Sequence, residues 1–393
     1  MAPGPGATHG YCRAVDAFFN HAGASPPTDA VVERMIRHLR REQEIGGYEA
    51  AAEVVDELAG VRATIADAIG AQPVEVALTA GATDAWERLA WAYLSQRRFD
   101  GGATIVVDPF TYVSMWTTLQ RWNVLRPLTI VVAEPAPDGT VDLDSLSSLV
   151  EPDTAMVLLT HIPTHCGTVT PAAAAIAAAR ASAPEVLIAL DVAQSAGQMA
   201  LDVRALGSDV AFAPGRKFLR GPRGTGFLHV RHELIPTLAP LGLPFGARYE
   251  GDELLGIPGD ATRFEVFERP IASLLGFGVA VGQLVERGLE TVESEVTARS
   301  DEVRAVLDRH ASLVPLGTSA DRGIVTFTHR HVAPDVVAGR LAELGVATRF
   351  IPGAPSVTDG PAGFEPRVRL SPHHCTTAEE IAALDAALGR LDA

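Results

Sequence analysis

Lysine is nearly missing from this 393-residue chain: of its 32 basic residues only Lys217 is a lysine, and the rest are arginine. Cysteine is almost as scarce. Cys12, Cys166 and Cys375 are odd in number and far apart, which excludes a disulfide framework or a paired zinc-knuckle spacing and fits a reducing compartment. Positive charge is short as well, with 32 Lys and Arg against 48 Asp and Glu and a net charge of -16. Such a molecule repels phosphate backbones and anionic bilayers, so neither nucleic acid nor a membrane is expected as a partner. No apolar run approaches a membrane span, and Met1 to Gly10 carries no charged stretch leading into an apolar core. A cytoplasmic location is expected. What the chain does have is 47% hydrophobic and 20% charged residues, the balance of a globular protein of two or three domains.

Pro26-Pro27-Thr28-Asp29 reads as a helix start, with Val31, Met35, Ile36 and Leu39 at helical spacing before Gly46-Gly47. A second helix is expected from about Ala50, its stripe formed by Val54, Leu58, Val61, Ile65 and Ile69. Continuous apolar runs follow at Val76 to Thr79, Thr104 to Asp108, Met156 to Thr160, Val186 to Asp191, Val210 to Ala213 and Gly226 to Val230, separated by helical patterns. Buried strands alternating with helices predict an α/β fold with a central, mostly parallel sheet. After Glu265 the pattern changes to helical stretches over Ile271 to Arg287 and Glu290 to His310. Strands near Gly323 to Thr328 and Val368 to Leu370 come next, then a helix opened by Thr377 with the Thr-x-x-Glu capping signature. The predicted organisation is an N-terminal segment (1–25), a large domain (26–265) and a smaller C-terminal α+β domain (266–393).

The strongest chemical signal is DVAFAPGRKFLRGPRGTGFLHVR, residues 209–231. A buried strand runs into Pro214-Gly215, and the turn presents Arg216 and Lys217. Desolvation and a neighbouring guanidinium both lower a lysine pKa there and leave a nucleophilic amine. Asp191 ends another buried strand, facing the crevice where α/β proteins bind ligands. Leu78-Thr79-Ala80-Gly81-Ala82-Thr83 passes from a strand through small residues into a helix, which suits an anion, and Tyr112 offers an aromatic face beyond the strand ending at Asp108. An activated lysine, a strand-end aspartate, a phosphate-binding helix start and an aromatic plate together meet the needs of pyridoxal phosphate.

On these residues the sequence resembles the class V aminotransferase superfamily of fold-type I pyridoxal-phosphate enzymes. Within it, the chain is similar to the branch of ergothioneine-type carbon–sulfur lyases, isopenicillin N epimerase-like proteins and related enzymes of lincosamide antibiotic biosynthesis. Asn20-His21-Ala22-Gly23, Gly46-Gly47-Tyr48-Glu49 and Arg369-Leu370-Ser371-Pro372-His373 extend the likeness over nearly the whole chain. The resemblance implies that Lys217 carries the cofactor covalently and acts in catalysis. It further implies that Asp191 partners the pyridine nitrogen, that Gln194 meets the phenolic oxygen and that Tyr112 stacks on the ring. Gly81, Ala82, Thr83 and Arg216 are implied to hold the phosphate, and Thr164 to line the cofactor. Arg369 is implied to clamp the substrate α-carboxylate, with Asn20 and His21 bordering the substrate. Arg263, in Thr262-Arg263-Phe264-Glu265, is implied to approach it at the boundary of a homodimer.

The sequence departs from the pattern at three places near the substrate: Pro214 stands where Ser or Thr is usual, His374 where tyrosine is common, and Thr262 where the lyase branch has arginine. A cysteine desulfurase needs a nucleophilic cysteine shortly before the arginine motif, and residues 350–366 contain none. His161, His165 and Cys166 are broken by Pro163, and no metal is expected. The favoured reaction is β-elimination from an amino-acid substrate, a cysteine S-conjugate. Decarboxylating oxidative deamination, transamination, epimerisation and an inactive dimeric scaffold are the alternatives.

Overall fold

In a computed structural model the described residues are 15–391, apart from residues 100, 138, 243, 245–246, 251–252, 318–320 and 354–363. Strand β1 (Ala17–Phe18) precedes helices α1 (Asp29–Ile45), α2 (Gly47–Ala52) and α3 (Val55–Ile69). Alternation then sets in with β2 (Val76–Thr79), α4 (Ala82–Leu94), β3 (Ala103–Val107), α5 (Val113–Leu125), β4 (Leu128–Val132), α6 (Leu143–Leu149), β5 (Thr154–Thr160), α7 (Ala172–Ser182) and β6 (Leu187–Asp191). Strands β7 (Val210–Pro214), β8 (Gly226–Val230), β9 (Arg248–Glu250) and β10 (Glu253–Leu255) follow without intervening α-helices. The C-terminal part comprises α8 (Ile271–Arg287), α9 (Leu289–Asp308), β11 (Leu313–Leu316), β12 (Val325–His329), α10 (Pro334–Glu343), β13 (Val346–Ala347), β14 (Arg349–Ile351), β15 (Arg367–Leu370) and α11 (Ala378–Gly389).

The central sheet has the order β2-β8-β7-β6-β5-β3-β4. It is parallel except for β8, which runs antiparallel to both β2 and β7. Two antiparallel steps restore direction, so β2 ends on the same sheet edge as β7, β6, β5 and β3. The site is built on that edge. Alternation along the strands divides the core between the two faces. Leu78, Val157, Ile188 and Ala213 pack with Ile65 of α3 and Phe277 of α8 on one face; Ala77, Met156, Ala189 and Phe212 pack with Trp86 of α4 and Leu119 of α5 on the other.

A second, antiparallel sheet β11-β12-β15-β14 forms its own core from Val325, Phe327, Val368, Leu370, Val303 and Leu384, joined by Ala17 and Phe19 from the N-terminal segment. The apolar layers change over within α9: Val292 and Val296 belong to the large core, Val303 and Leu307 to the small one. The α/β architecture with a smaller C-terminal domain agrees with expectation. Among the described residues no helix is long and apolar enough to cross a membrane.

Three local readings need correction. The helix expected from Ala50 is two helices, because Val54 leaves helical geometry at φ -116° and ψ 16°. Helix α1 buries Val31, Arg34 and His38, while Leu39 stays half exposed. Strand β4 adds a parallel edge to β3; it is only partly buried, and its Thr129 interrupts the apolar run that marked the other strands. The capping box at Thr377 and Glu380 is present as read.

Gly226 shows how tightly the sheet edge is joined to α4. A Cβ there would lie 2.6 Å from the Ala213 carbonyl oxygen and 2.7 Å from Gly81 Cα. Gly226→Ala is expected to lower stability by about 1–3 kcal/mol through overpacking, measured by urea unfolding. A variant as stable as the parent would contradict this packing.

Candidate active site

The chemistry-bearing side chains sit where the strands stop. Asp191 is the last residue of β6 and is buried, its Oδ1 accepting the Ala193 N–H at 2.8 Å. Burial raises its pKa, opposed by the Lys217 ammonium and by that hydrogen bond. Lys217 lies three residues past β7. Burial drives its pKa down to about 7; the Asp191 carboxylate pulls it back up, whereas Arg216 and Arg369 push it further down. Its Nζ stands 5.9 Å from the Tyr112 ring centroid. The Lys217 turn is fixed by backbone bonds, Gly215 N–H to the Thr225 carbonyl at 2.8 Å and Ser25 N–H to the Arg216 carbonyl at 2.7 Å. The Arg216 guanidinium in turn donates to the Gly23 carbonyl, tying the N-terminal segment across the site.

An inner cavity of about 410 Å³ is lined by Gly81, Ala82, Thr83, Tyr112, Thr164, Asp191, Gln194, Arg216 and Lys217. The sequence reading placed all nine at the cofactor, and the fold brings them together. Gly81 precedes α4 at φ +149°, a backbone conformation open to glycine, so the first-turn N–H groups of α4, which have no intrahelical acceptors, start at the cavity wall. Asp84 also sits there, but its carboxylate is engaged by the Ala80 N–H at 2.9 Å and by Arg88.

Arg369, on β15, is buried and opens onto an adjoining outer cavity of about 620 Å³. Its Nη1 donates to both the carbonyl and Oγ1 of Thr164 at 2.7 Å, while Nη2 lies 3.4 Å from Asn20 Oδ1. Thr164 Oγ1 also accepts from Gln194 Nε2 at 2.9 Å, so one hydroxyl joins the two cavities. Burial lowers the Arg369 pKa to about 10.

Two expected residues stand elsewhere. His21 is turned away from both cavities: its Nδ1 meets Ser25 Oγ at 2.8 Å, its ring packs on Phe18 and His373, and burial lowers its pKa to about 3. Arg263 spends its Nε on the Pro258 carbonyl at 2.9 Å and its Nη1 on the carbonyls of Ile235 and Leu238, away from the cavities of its own chain.

Asp108 is marked in the sequence only as the end of a strand, although it follows β3 as Asp191 closes β6. Its carboxylate accepts the Phe110 N–H at 2.6 Å and the Thr160 N–H, pinning the ends of β3 and β5 together, and burial raises its pKa to about 7. His165 stacks on Phe364 with centroids 4.0 Å apart, and burial lowers its pKa to about 3. Among the described residues no group of three or more His, Cys, Asp or Glu side chains is placed to hold a metal. Cys166 and Cys375 are free thiols whose pKa values burial pushes up, and neither lines the inner or outer cavity. Cys12 lies outside the described residues.

The family model of the aminotransferases class V matches residues 17–384. The chain belongs to this family. It is 27% identical to a probable cysteine desulfurase of Methanothermobacter thermautotrophicus over 386 residues, 94% of this chain and 93% of that one. It is 28% identical to a probable hercynylcysteine sulfoxide lyase of Mycobacterium tuberculosis over 375 residues, 93% of this chain and 88% of that one. In fold it is similar to the apo cysteine desulfurase of Thermococcus onnurineus (TM-score 0.84, 22% identity, 95% and 94% of the two chains). It is likewise similar to the cystine C–S lyase C-DES solved with cysteine persulfide (TM-score 0.83, 23% identity, 94% and 96%).

Membership carries pyridoxal 5'-phosphate as the cofactor, and the residues present fit it. Gln194 Oε1 and Arg369 Nε are buried without a hydrogen-bond partner, and the Lys217 amine has none among the described residues. Buried polar groups left in this way suit a ligand that supplies the complementary atoms.

A buried amine that ionises with difficulty costs stability wherever the unfolded chain holds the proton and the folded chain resists it. With the folded pKa near 7 and the unfolded value near 10.5, the penalty is fully present below pH 7 and is relieved as pH rises toward 10.5. Lys217→Met should therefore stabilise the cofactor-free protein more at pH 6 than at pH 9.5 in paired urea titrations. An equal gain at both values would mean that the amine is not desolvated.

Proposed function

We propose that this protein is a pyridoxal-phosphate-dependent carbon–sulfur lyase that cleaves a cysteine S-conjugate by β-elimination, in the formation of a sulfur-containing natural product. What supports this reading is a buried amine, Lys217, that shares a cavity with the buried guanidinium of Arg369, in a site whose described residues offer no thiol to accept sulfur. A desulfurase passes sulfur to a cysteine. A lyase releases the thiol and needs only a base.

In this reading Lys217 would anchor the cofactor, Asp191 would pair with its ring nitrogen, Gln194 with its phenolic oxygen, and Tyr112 would stack on its ring. Gly81, Ala82, Thr83 and Arg216 would hold its phosphate, since Pro214 has no hydroxyl to offer. The cofactor supplies an electron sink for charge developing at the substrate α-carbon. Arg369 binds the α-carboxylate through two parallel hydrogen bonds, with Asn20 beside it, and so fixes which bond at the α-carbon is presented for cleavage. The Lys217 amine, set free when the substrate's own amine displaces it, would take the α-proton; a pKa near 7 leaves a large fraction of the free amine neutral at physiological pH. The Cβ–S bond then breaks with its electron pair going to sulfur, and the thiolate takes up a proton. Hydrolysis of the remaining three-carbon unsaturated amine gives pyruvate and ammonia.

The proposal includes a homodimer in the cytoplasm, with Arg263 approaching the site across the subunit boundary. Tyr48 is 76% exposed and pairs with the half-exposed Phe267 at 6.2 Å between ring centroids, an apolar patch suited to a second subunit.

The test is stoichiometry. With a cysteine S-conjugate the holoenzyme should release thiol and pyruvate in equal amounts, without oxygen uptake or carbon dioxide. Arg369→Lys keeps the charge but loses the planar fork, and kcat/KM should fall about 10- to 100-fold. Stoichiometric carbon dioxide with oxygen consumption would replace elimination by oxidative decarboxylation, and normal kinetics in Arg369→Lys would remove the clamp.

A further inference from the structure

The outer cavity gathers positive charge in a protein that has little of it. Arg216, Lys217, Arg223, Arg349 and Arg369 all line it, and no carboxylate does so among the described residues, although the chain carries 48 acidic residues. Two of these guanidinium groups have no evident task. Arg369 is held by Thr164, and Arg216 is bound to Gly23. Arg223 and Arg349 are exposed, and no side-chain hydrogen bond or ion pair joins either guanidinium to a described residue.

The placement of Arg349 is costly in itself. Strands β14 and β15 pair with Arg349 directly opposite Arg369, and like charges across an antiparallel pair destabilise it. Arg349 in turn lowers the Arg369 pKa, and Arg223 lowers that of Arg216. A single carboxylate satisfies Arg369. It leaves the opposing Arg349 uncompensated.

We infer that the outer cavity is a subsite for a second anionic group on the substrate, bound by Arg349 with Arg223 at its rim, so that the group carried on sulfur ends in a carboxylate. This rests on the lyase reading for the identity of the substrate but not for the preference itself. An acidic substituent reaching outward from a bound amino acid meets guanidinium groups that form charge-assisted hydrogen bonds and have no competing partner. A neutral substituent leaves the repulsion in place.

The test compares S-(2-carboxyethyl)cysteine with its carboxamide, equal in shape and different only in charge, as substrates of the holoenzyme. In parallel, 2-aminopimelate and its distal monoamide, in which a methylene replaces sulfur and nothing can be eliminated, are titrated against the visible absorption of the bound cofactor. Wild type should favour the acid over the amide by roughly tenfold or more in both assays, and the ratio should shrink with added salt. Arg349→Gln should bring the ratio close to one, and Arg349→Lys should restore most of it. Equal treatment of acid and amide by wild type, or an unchanged ratio in Arg349→Gln, would overturn the subsite. The two readings separate cleanly. Pyruvate from both conjugates at equal rates leaves the lyase and removes the subsite, whereas an acid preference in the aminopimelate titration without pyruvate from either conjugate keeps the subsite and removes the lyase.

Discussion

A single amine taken out of water, facing a carboxylate taken out of water, is the constraint on which the rest of this structure depends. Lys217 and Asp191 are both buried, and the charge on each opposes the pKa shift that burial imposes on the other. Their arrangement demands a rigid frame, which the ends of β6 and β7 supply: the two strands are paired in parallel with Asp191 opposite Phe212. The lysine turn beyond is closed by backbone bonds to Thr225 and Ser25.

That frame explains why the remaining parts stand where they do. The reversal of β8 lets β2 deliver the Gly81 turn to the same edge as Lys217. Asp108 pins β3 to β5, and β5 leads into Thr164, whose hydroxyl meets both Gln194 and Arg369. The small domain contributes Arg369 from β15, locked to the N-terminal segment where Ser371 N–H donates to the Phe19 carbonyl at 2.7 Å. The residues proposed to hold the cofactor therefore come from one sheet edge and the proposed substrate clamp from a second sheet, so two packed cores must agree before the site is complete.

Much of this was legible in the sequence because its signals are local. A solitary lysine in a strand–turn–strand segment, an aspartate at the end of a buried apolar run and a small-residue turn before a helix each declare themselves within a few residues. What escaped depends on packing or register. Nothing near His21 reveals that Ser25 and His373 will enclose it. Nothing near Arg349 reveals that it will lie opposite Arg369, since strand register is set across the chain. Strand β4 escaped because an edge strand needs less apolar character than a central one. Asp108 is the exception, a local signal of the same kind as Asp191.

Because Lys217 is the single lysine of the chain, its proposed role as the amine that carries the chemistry can be tested without competing labels. The protein should be reconstituted with pyridoxal phosphate, reduced with borohydride, digested and mapped by mass spectrometry. One pyridoxyl group per chain is expected, fixed on Lys217 within the peptide spanning residues 215–220. Stable cofactor binding with no label on Lys217 after reduction would contradict it.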